Sequence, residues 1–344
     1  MTFAAESLPL LLAVFALASF VVAVAGVSLT VKADRLADIT GMGEAIAGAV
    51  LLGMATSLSG TVVSVTAAIG DQPSLAFSNA VGGISAQTAF LALADITYRR
   101  ANLEHASADP ANLYQAALLT LMLGLPLAAY AGPELVVFGI HPVTLVLPCV
   151  YVAGVRIGAR VRETPMWRPV STAQTRTEKP DEEPDIAGKL LPLAAQFAAL
   201  AVVLGIAGWV ISKTGTQLSL RLGISATAVG ALMTAVATSL PELITTLAAV
   251  RRGAIQLAVG GIIGGNSFDV LFLSAADAGY AGGSIYHAIT RADLFWIAVG
   301  LLLNSLLAIG LVVRQRRGPA GIGLESALIL IVYAGAIALQ VSMR

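Results

Sequence analysis

Ala55-Thr56-Ser57-Leu58-Ser59-Gly60 returns 182 residues later as Ala237-Thr238-Ser239-Leu240-Pro241-Glu242, and this pair of stretches decides the fold. The same offset lays Gly82-Gly83 on Gly264-Gly265, Phe90-Leu91 on Phe272-Leu273 and Ala94-Asp95 on Ala276-Asp277. It also lays Tyr98 on Tyr280 and His105-Ala106 on His287-Ala288, with no gap across Ala25–Ala106 and Ala207–Ala288. Shared apolar composition aligns Leu with Val and Ala with Gly. It does not hold Thr-Ser, Gly-Gly, Asp, Tyr and His in one register. The two halves are copies of one unit.

Composition says where that unit lives. Of 344 residues 57% are hydrophobic and 12% charged, against about 25% charged in a soluble domain. The excess apolar surface must face lipid. Segments of roughly 20 apolar residues span the hydrocarbon core, and ten are expected: Leu8–Val31, Met42–Ile69, Leu75–Thr97, Leu113–Ala131, Glu134–Val155, Leu190–Ser212, Ile224–Val250, Ile255–Ala276, Leu294–Val313 and Ile322–Val341. Their apolarity is continuous rather than alternating, which selects helices over a barrel. Leu8–Val24 resembles a signal-peptide core, but Glu6 and no basic residue precede it, so it is read as a retained first helix. Cys149, the single cysteine, lies in an apolar stretch and is read as packing.

Basic residues set the expected orientation. Alternate loops carry Lys32 and Arg35, Arg99 and Arg100, the stretch Arg156 to Lys189, Arg251 and Arg252, and Arg314, Arg316 and Arg317. These are sixteen of the twenty Lys and Arg residues. Both termini are therefore expected outside an inner (plasma) membrane crossed many times. The polar stretch around Arg156–Lys189, with Pro165, Pro169, Pro180 and Pro184, is expected as a cytoplasmic flexible linker. The organisation is then a first five-helix repeat over 1–156, a linker over 157–189 and a second repeat over 190–344. Five crossings per copy force the second copy to insert upside down. Inverted repeats of this kind are a mark of secondary transporters, with the substrate near midplane between the repeats.

The seventh segment places Thr234, Thr238, Glu242 and Thr245 on one helical face, with Ser239 on its flank and Pro241 breaking the ladder near Ala237. The eighth carries Gly264-Gly265-Asn266-Ser267-Phe268-Asp269, with Asn266 and Asp269 three apart. Carboxylates, amides and hydroxyls are hard oxygen ligands suited to Ca²⁺ or Na⁺. A carboxylate at the bilayer centre costs at least about 2.5–3.5 kcal/mol, which favours a functional role over helix glue.

Thr238-Ser239-Leu240-Pro241-Glu242-Leu243, Arg251-Arg252-Gly253 and Gly264-Gly265-Asn266-Ser267-Phe268-Asp269 resemble the second repeat of the calcium/cation antiporter superfamily, which includes the sodium/calcium exchangers. The resemblance implies an all-α membrane protein of ten helices in two inverted five-helix repeats. It further implies that Glu242 is the principal cation ligand, that Thr238, Ser239 and Asp269 belong to adjoining ion sites, and that backbone oxygen comes from around Ala235. The first half departs from the pattern, with Ser59-Gly60 where Pro-Glu is usual and Gly82-Gly83-Ile84-Ser85-Ala86-Gln87 where an Asn-containing motif is usual. Thr56 and Ser57 remain as donors of oxygen, and Gln87 offers an amide in place of Asn.

The expected function is exchange of Ca²⁺, or another divalent cation, for Na⁺ or H⁺ by alternating access. Glu242 and Asp269 together neutralise one divalent ion, with Ca²⁺ affinity expected to fall below that of a relative with two glutamates. A second reading is a non-transporting or ion-sensing homologue that keeps the fold after losing the acid at Gly60. An intramembrane enzyme is set aside because the chain has no His-Glu-x-x-His, no protease-like aspartate pair and no Ser/His constellation. No cofactor beyond the transported ion is expected, and the partners are inorganic cations and lipid rather than nucleic acid. Asp95 with Tyr98 and His105, and Asp277 with Tyr280 and His287, are expected at equivalent helix ends on opposite sides, capping structure there. His141, before Pro142 in the fifth helix, is expected to be a packing or interfacial residue rather than a catalytic one, and Glu44 and Glu325 to sit in early helical turns.

Overall fold

A computed structural model describes residues 6–40, 47–98, 100–172, 175, 190–318 and 322–342. The first repeat comprises α1 (Leu8–Thr40), α2 (Ala47–Ile69), α3 (Pro73–Thr97), the one-turn α4 (Leu103–Ala106), α5 (Pro110–Ala131) and α6 (Pro142–Glu163). The second opens with α7 (Leu190–Leu222). Its next helix is segmented into α8 (Ala226–Ala228), a π-helical turn (Val229–Thr234), α9 (Ala235–Thr238) and α10 (Leu240–Arg252). Then follow α11 (Ile255–Asp269), α12 (Leu271–Gly279), the one-turn α13 (Ile285–Ala288), α14 (Arg291–Val313) and α15 (Leu324–Ser342). Among the described residues eight helices are long and apolar enough to span a bilayer, and the pair Ala226–Thr238 and Leu240–Arg252, bent by 46°, makes a ninth. The apolar part of α2, Ala55–Ile69, completes the ten-helix inverted-repeat fold.

The 182-residue offset holds in structure, and at the last helix of each repeat it reaches beyond the stretch matched in sequence. It relates Leu103–Ala106 to Ile285–Ala288, the starts Pro73 and Ile255, and the starts Pro142 and Leu324. α3 is the axis of the assembly, with every residue from Leu75 to Ala92 buried. Small side chains permit this. A Cβ at Gly82 would overlap Ala231, and one at Gly230 would overlap the Ser78 hydroxyl, so α3 and the π-helical turn meet backbone to backbone. Outward side chains such as Leu17, Phe20, Val202 and Ile331 face the lipid.

Helix starts follow their capping chemistry. Pro73, Pro110 and Pro142 occupy first-turn positions. Asp109 accepts from the Ala111 N–H at 2.7 Å, and Thr290 with Asp293 forms a reciprocal cap on α14. Gly253, at φ +84°, ends α10. The fifth helix differs from its expected span. Its start is Pro142 rather than Glu134, and Glu134–His141 forms a turn with Val137 and Ile140 bridged and Phe138 and Gly139 at φ +54° and +85°. That stretch is apolar, but Pro142 has no N–H and a fixed φ, which makes it a first-turn residue. His141 is accordingly the N-cap just before the helix, where its Nδ1 accepts from the Val143 N–H at 3.2 Å and its buried ring packs on Tyr286 and His287.

α6 also runs to Glu163, into the segment expected as linker. Beyond it, Thr172 hydrogen-bonds His105 and the Val170 carbonyl accepts from Arg314, so this stretch is tied down rather than free. Asn102 reaches the Gln315 carbonyl at 2.8 Å. The α3–α4 loop, the start of the linker and the α14–α15 loop, all rich in Arg, therefore share one end of the molecule. α1 and α7 are each 33 residues, about 50 Å at ~1.5 Å per residue, and outrun the expected Leu8–Val31 and Leu190–Ser212. A span longer than the bilayer core tilts. Glu44 lies outside the described residues.

Candidate functional site

Four segments meet at the centre: α2, α3, the α9–α10 break and the end of α11. The break arises because Ser239 adopts φ −94°, ψ 5°, with Pro241 in the first turn of the helix that restarts at Leu240. The Pro241 ring seats over Gly26 of α1, where any Cβ would overlap it. Glu242 is thereby delivered into the interior in the first turn of α10, where the helix dipole favours a carboxylate.

Two bonds cross between the repeats here, and each is the other's mate under the 182-residue offset. Ser57 Oγ donates to Asp269 Oδ1 at 2.5 Å, and Gln87 Nε2 donates to Ser239 Oγ at 3.2 Å. Gln87 and Asp269 occupy equivalent positions and also bond each other, Gln87 Nε2 donating to Asp269 Oδ2 at 2.6 Å. Thr56 donates to Glu242. Thr238 Oγ1 donates to the Thr234 and Ala235 carbonyls, so its hydroxyl oxygen keeps lone pairs for the cavity. All these side chains are buried.

Ser57, Gly60, Asn79, Gly83, Gln87, Thr238, Ser239, Glu242, Asp269 and Phe272 surround a cavity of about 10 Å³, the scale of one water-sized sphere. Glu242 Oε2 and Gln87 Oε1, both from residues of its wall, are buried without a hydrogen-bond partner. A buried carboxylate oxygen left bare costs more than most polar groups unless a proton or cation completes it. The donor set of carboxylate, amide oxygen and hydroxyl is all hard oxygen and fits Na⁺ or Ca²⁺, with no soft ligand. Among the described residues no group of three or more His, Cys, Asp or Glu is placed to hold a metal ion, so this wall of two acids and neutral oxygens is not a dense carboxylate cage.

Some expected members lie elsewhere. Asn266 does not line the cavity; its Nδ2 donates to Thr88 Oγ1 at 3.0 Å, one residue on from Gln87 along α3. Thr245 donates back to the Pro241 and Glu242 carbonyls at 2.9 and 3.2 Å, within its own helix, instead of entering the cavity. Thr234, on the π-helical turn, donates to Asn79 Oδ1 at 2.7 Å. Two wall residues went unread in the sequence. Asn79 lies two turns before Gln87 on α3, a helical spacing that marks it. Phe272 carries no polar signal, yet a Cβ at Gly60 would stand 2.6 Å from its Cε2. Its ring fills the room that a side chain at 60 would need.

Away from the centre, Asp95 and Asp277 form a second reciprocal pair. Asp95 Oδ1 accepts from the Leu103 N–H and Oδ2 from the Gly323 N–H at 2.8 and 2.9 Å. Asp277 Oδ1 accepts from the Ile285 N–H and Oδ2 from the His141 N–H, both at 2.8 Å. Each carboxylate thus joins its own repeat's one-turn helix to the last helix of the other repeat.

The sequence profile described as "Sodium/calcium exchanger protein" matches residues 10–154 and 192–342. The chain belongs to the sodium/calcium exchanger family. Inner membrane protein YrbG of Escherichia coli K12 is 31% identical over 134 residues, 39% of this chain and 40% of that protein. Sodium/calcium exchanger MaX1 of Methanosarcina acetivorans is 31% identical over 102 residues, 28% of each chain. Both alignments thus span less than half of the relative's length. Over nearly the whole chain the fold matches that of the sodium-calcium exchanger NCX_Mj soaked with 10 mM Na⁺ and zero Ca²⁺, with TM-score 0.62, 19% identity and coverage of 98% and 100%. It matches the H⁺/Ca²⁺ exchanger CAX with TM-score 0.63, 13% identity and coverage of 96% and 88%. The exchanger family consists of membrane cation antiporters, and this member has their ten-helix inverted repeat.

Proposed function

We propose that the chain is a secondary antiporter that exchanges Ca²⁺ or another divalent cation for Na⁺ or H⁺ by alternating access. The observation that carries this is the bare Glu242 Oε2 in the wall of the small cavity where the repeats cross-bond. Glu242 and Asp269 supply the charge; Thr56, Ser57, Thr238, Ser239 and Gln87 supply or orient neutral oxygens. Asn266 holds α11 against α3 through Thr88. Two carboxylates balance one divalent ion, or two Na⁺ or two H⁺, without stranding a charge. The relatives whose names state their ions, MaX1, NCX_Mj and CAX, support the same substrate classes. The Arg-rich end is read as cytoplasmic, with both termini outside, the repeats over 1–156 and 190–344 joined by the 157–189 connection, and a helix pair moving against α2, α3 and the broken helices between Ala226 and Gly279.

One observation favours a second reading, a homologue that keeps the fold without transporting. The Phe272 ring occupies the room at Gly60, so the first-repeat acid is absent and its space closed. Flux in proteoliposomes separates the two. A transporter shows cation-driven ⁴⁵Ca²⁺, Na⁺ or H⁺ movement that Glu242→Gln abolishes while the melting temperature in detergent holds. Absence of all three fluxes in the wild-type protein overturns the antiporter reading.

A further inference from the structure

The two carboxylate junctions at opposite ends use the same hydrogen-bonding groups, except at one position. At the Asp277 end the Tyr286 hydroxyl meets Thr144 Oγ1 at 3.1 Å, and Thr144 Oγ1 donates to Asp277 Oδ2 at 2.6 Å. Thr144 has one hydroxyl proton and gives it to Asp277, so Tyr286 must donate. The chain runs from Tyr286 to Thr144 to Asp277. Under the 182-residue offset Tyr286 corresponds to Glu104, Thr144 to Ser326 and Asp277 to Asp95. A carboxylate therefore stands where the sister junction has an obligatory donor.

Glu104 is 2% exposed, and its Oε2 has no partner. Ser326 Oγ donates to Glu104 Oε1 at 3.0 Å and is also within hydrogen-bonding reach of Asp95, so a proton on Glu104 would reverse this bond and free the Ser326 proton for Asp95. Gly323 fits tightly beneath: a Cβ there would stand 3.3 Å from Glu104 Oε2 and 3.4 Å from Asp95 Oδ2. The charged groups around it are mostly acidic. Asp95 faces it from α3 and Glu325 from the first turn of α15, while Gly310 of α14 packs on the Glu104 and Glu325 side-chain stems. Arg314 at the end of α14 directs its guanidinium to the Val170 and His105 carbonyls, and His105 bonds Thr172 and the Arg314 carbonyl. α11, also packed on α4, has Asp269 as its one titratable residue, at the central cavity.

We propose that a proton on Glu104, donated through Ser326 toward Asp95, closes the junction of α4 with α15, and that its loss loosens this junction alone. With the proton in place the order Glu104 to Ser326 to Asp95 reproduces that of Tyr286 to Thr144 to Asp277. Without it, Ser326 gives its single proton to Glu104, and Asp95 keeps only the Leu103 and Gly323 N–H groups beside a second buried charge. Burial, and after it the Asp95 charge, push the Glu104 carboxyl up to about 7, so the change falls near neutrality. This site is separate from the cation cavity, and its test does not depend on transport.

Hydrogen–deuterium exchange of the full chain in nanodiscs at about pH 6 and about pH 8.5, corrected for intrinsic exchange, reads both junctions at once. Peptides covering 101–106 and 322–327 are expected to lose protection about tenfold at the higher pH. Peptides covering 283–288 and 139–145 are expected to keep theirs and serve as the internal control. Glu104→Gln, whose amide donates at any pH, is expected to abolish the pH response. Equal behaviour of the two junctions in the wild-type protein overturns the proposal even if the variant fails to fold. A pH response that persists in a folded Glu104→Gln protein overturns it too.

Discussion

At position 60 the missing carboxylate has left no hole, because the Phe272 ring already stands where a side chain would begin. Gly60→Glu is therefore expected to lower the melting temperature, with an overpacking cost of about 1–3 kcal/mol, and to bring no gain in Ca²⁺ flux. Combining it with Phe272→Ala is expected to recover much of the loss, a coupling that a double-mutant cycle reads directly; strictly additive losses would falsify this account. Asp269 accepts from two donors, Ser57 and Gln87. Asp269→Asn turns an –NH₂ toward one of them, and the thermal midpoint is expected to fall by the equivalent of about 1–3 kcal/mol, the cost of a buried donor left unpaired. Glu242, Asp269 and Gln87 were legible in the sequence because polar groups in register inside apolar helices are expensive. Phe272 was not, because an aromatic ring among apolar residues leaves no trace of what it displaces.

Among elements, the segmented helix from Ala226 to Arg252 carries the most information. Its bend was readable at Pro241, where the backbone donor is missing. The π-helical turn before it was not, since nothing in Val-Gly-Ala-Leu-Met-Thr at Val229–Thr234 distinguishes a π-helical turn from an α-helical one. That turn exists because α3 presses on it at Gly82 and Gly230, a tertiary cause. Asn79 fastens the two, donating to the Gly60 carbonyl and Ser64 and accepting from Thr234. Asn79→Ala is expected to cost about 1–3 kcal/mol per group left unsatisfied, and Ser64→Ala distinctly less, as thermal denaturation in detergent would show. The start of α6 departs from its expected place for a simpler reason: Glu134–Ile140 is apolar enough for a helix, and apolarity alone does not distinguish a helix from an exposed turn at its end.

For the molecule as a whole, the repeat made the architecture legible before any element was located, and the placement of Arg and Lys predicts its sidedness. Phe138 and Met166 are both fully exposed, in the α5–α6 turn and just past α6 respectively. In a Cys149→Ala background on intact cells, an impermeant maleimide is expected to label Phe138→Cys and to spare Met166→Cys until the membrane is opened; the reverse pattern would invert the topology. Stability should also follow pH with a definite sign. Glu104 holds its proton more tightly folded than unfolded, from the ordinary 4.5 up to about 7. Its contribution is thus complete below about pH 4.5 and is lost as pH rises through about 7. Melting temperatures of the wild-type protein should fall across that window relative to Glu104→Gln, and parallel curves would remove Glu104 as the cause.

The reciprocal carboxylates have a further consequence for how the protein is made. Asp277 lies 136 residues downstream of His141, whose backbone N–H it accepts. When α6 emerges from the ribosome its first turn lacks that partner, and the partner does not yet exist. Asp95, made early, waits in turn for Gly323, 228 residues later. Neither half therefore matures by itself, and the closing helix of the nascent first half stays unfinished until the second has threaded in beside it. Two halves expressed as separate chains should accordingly be cleared by quality control when alone and survive when made together.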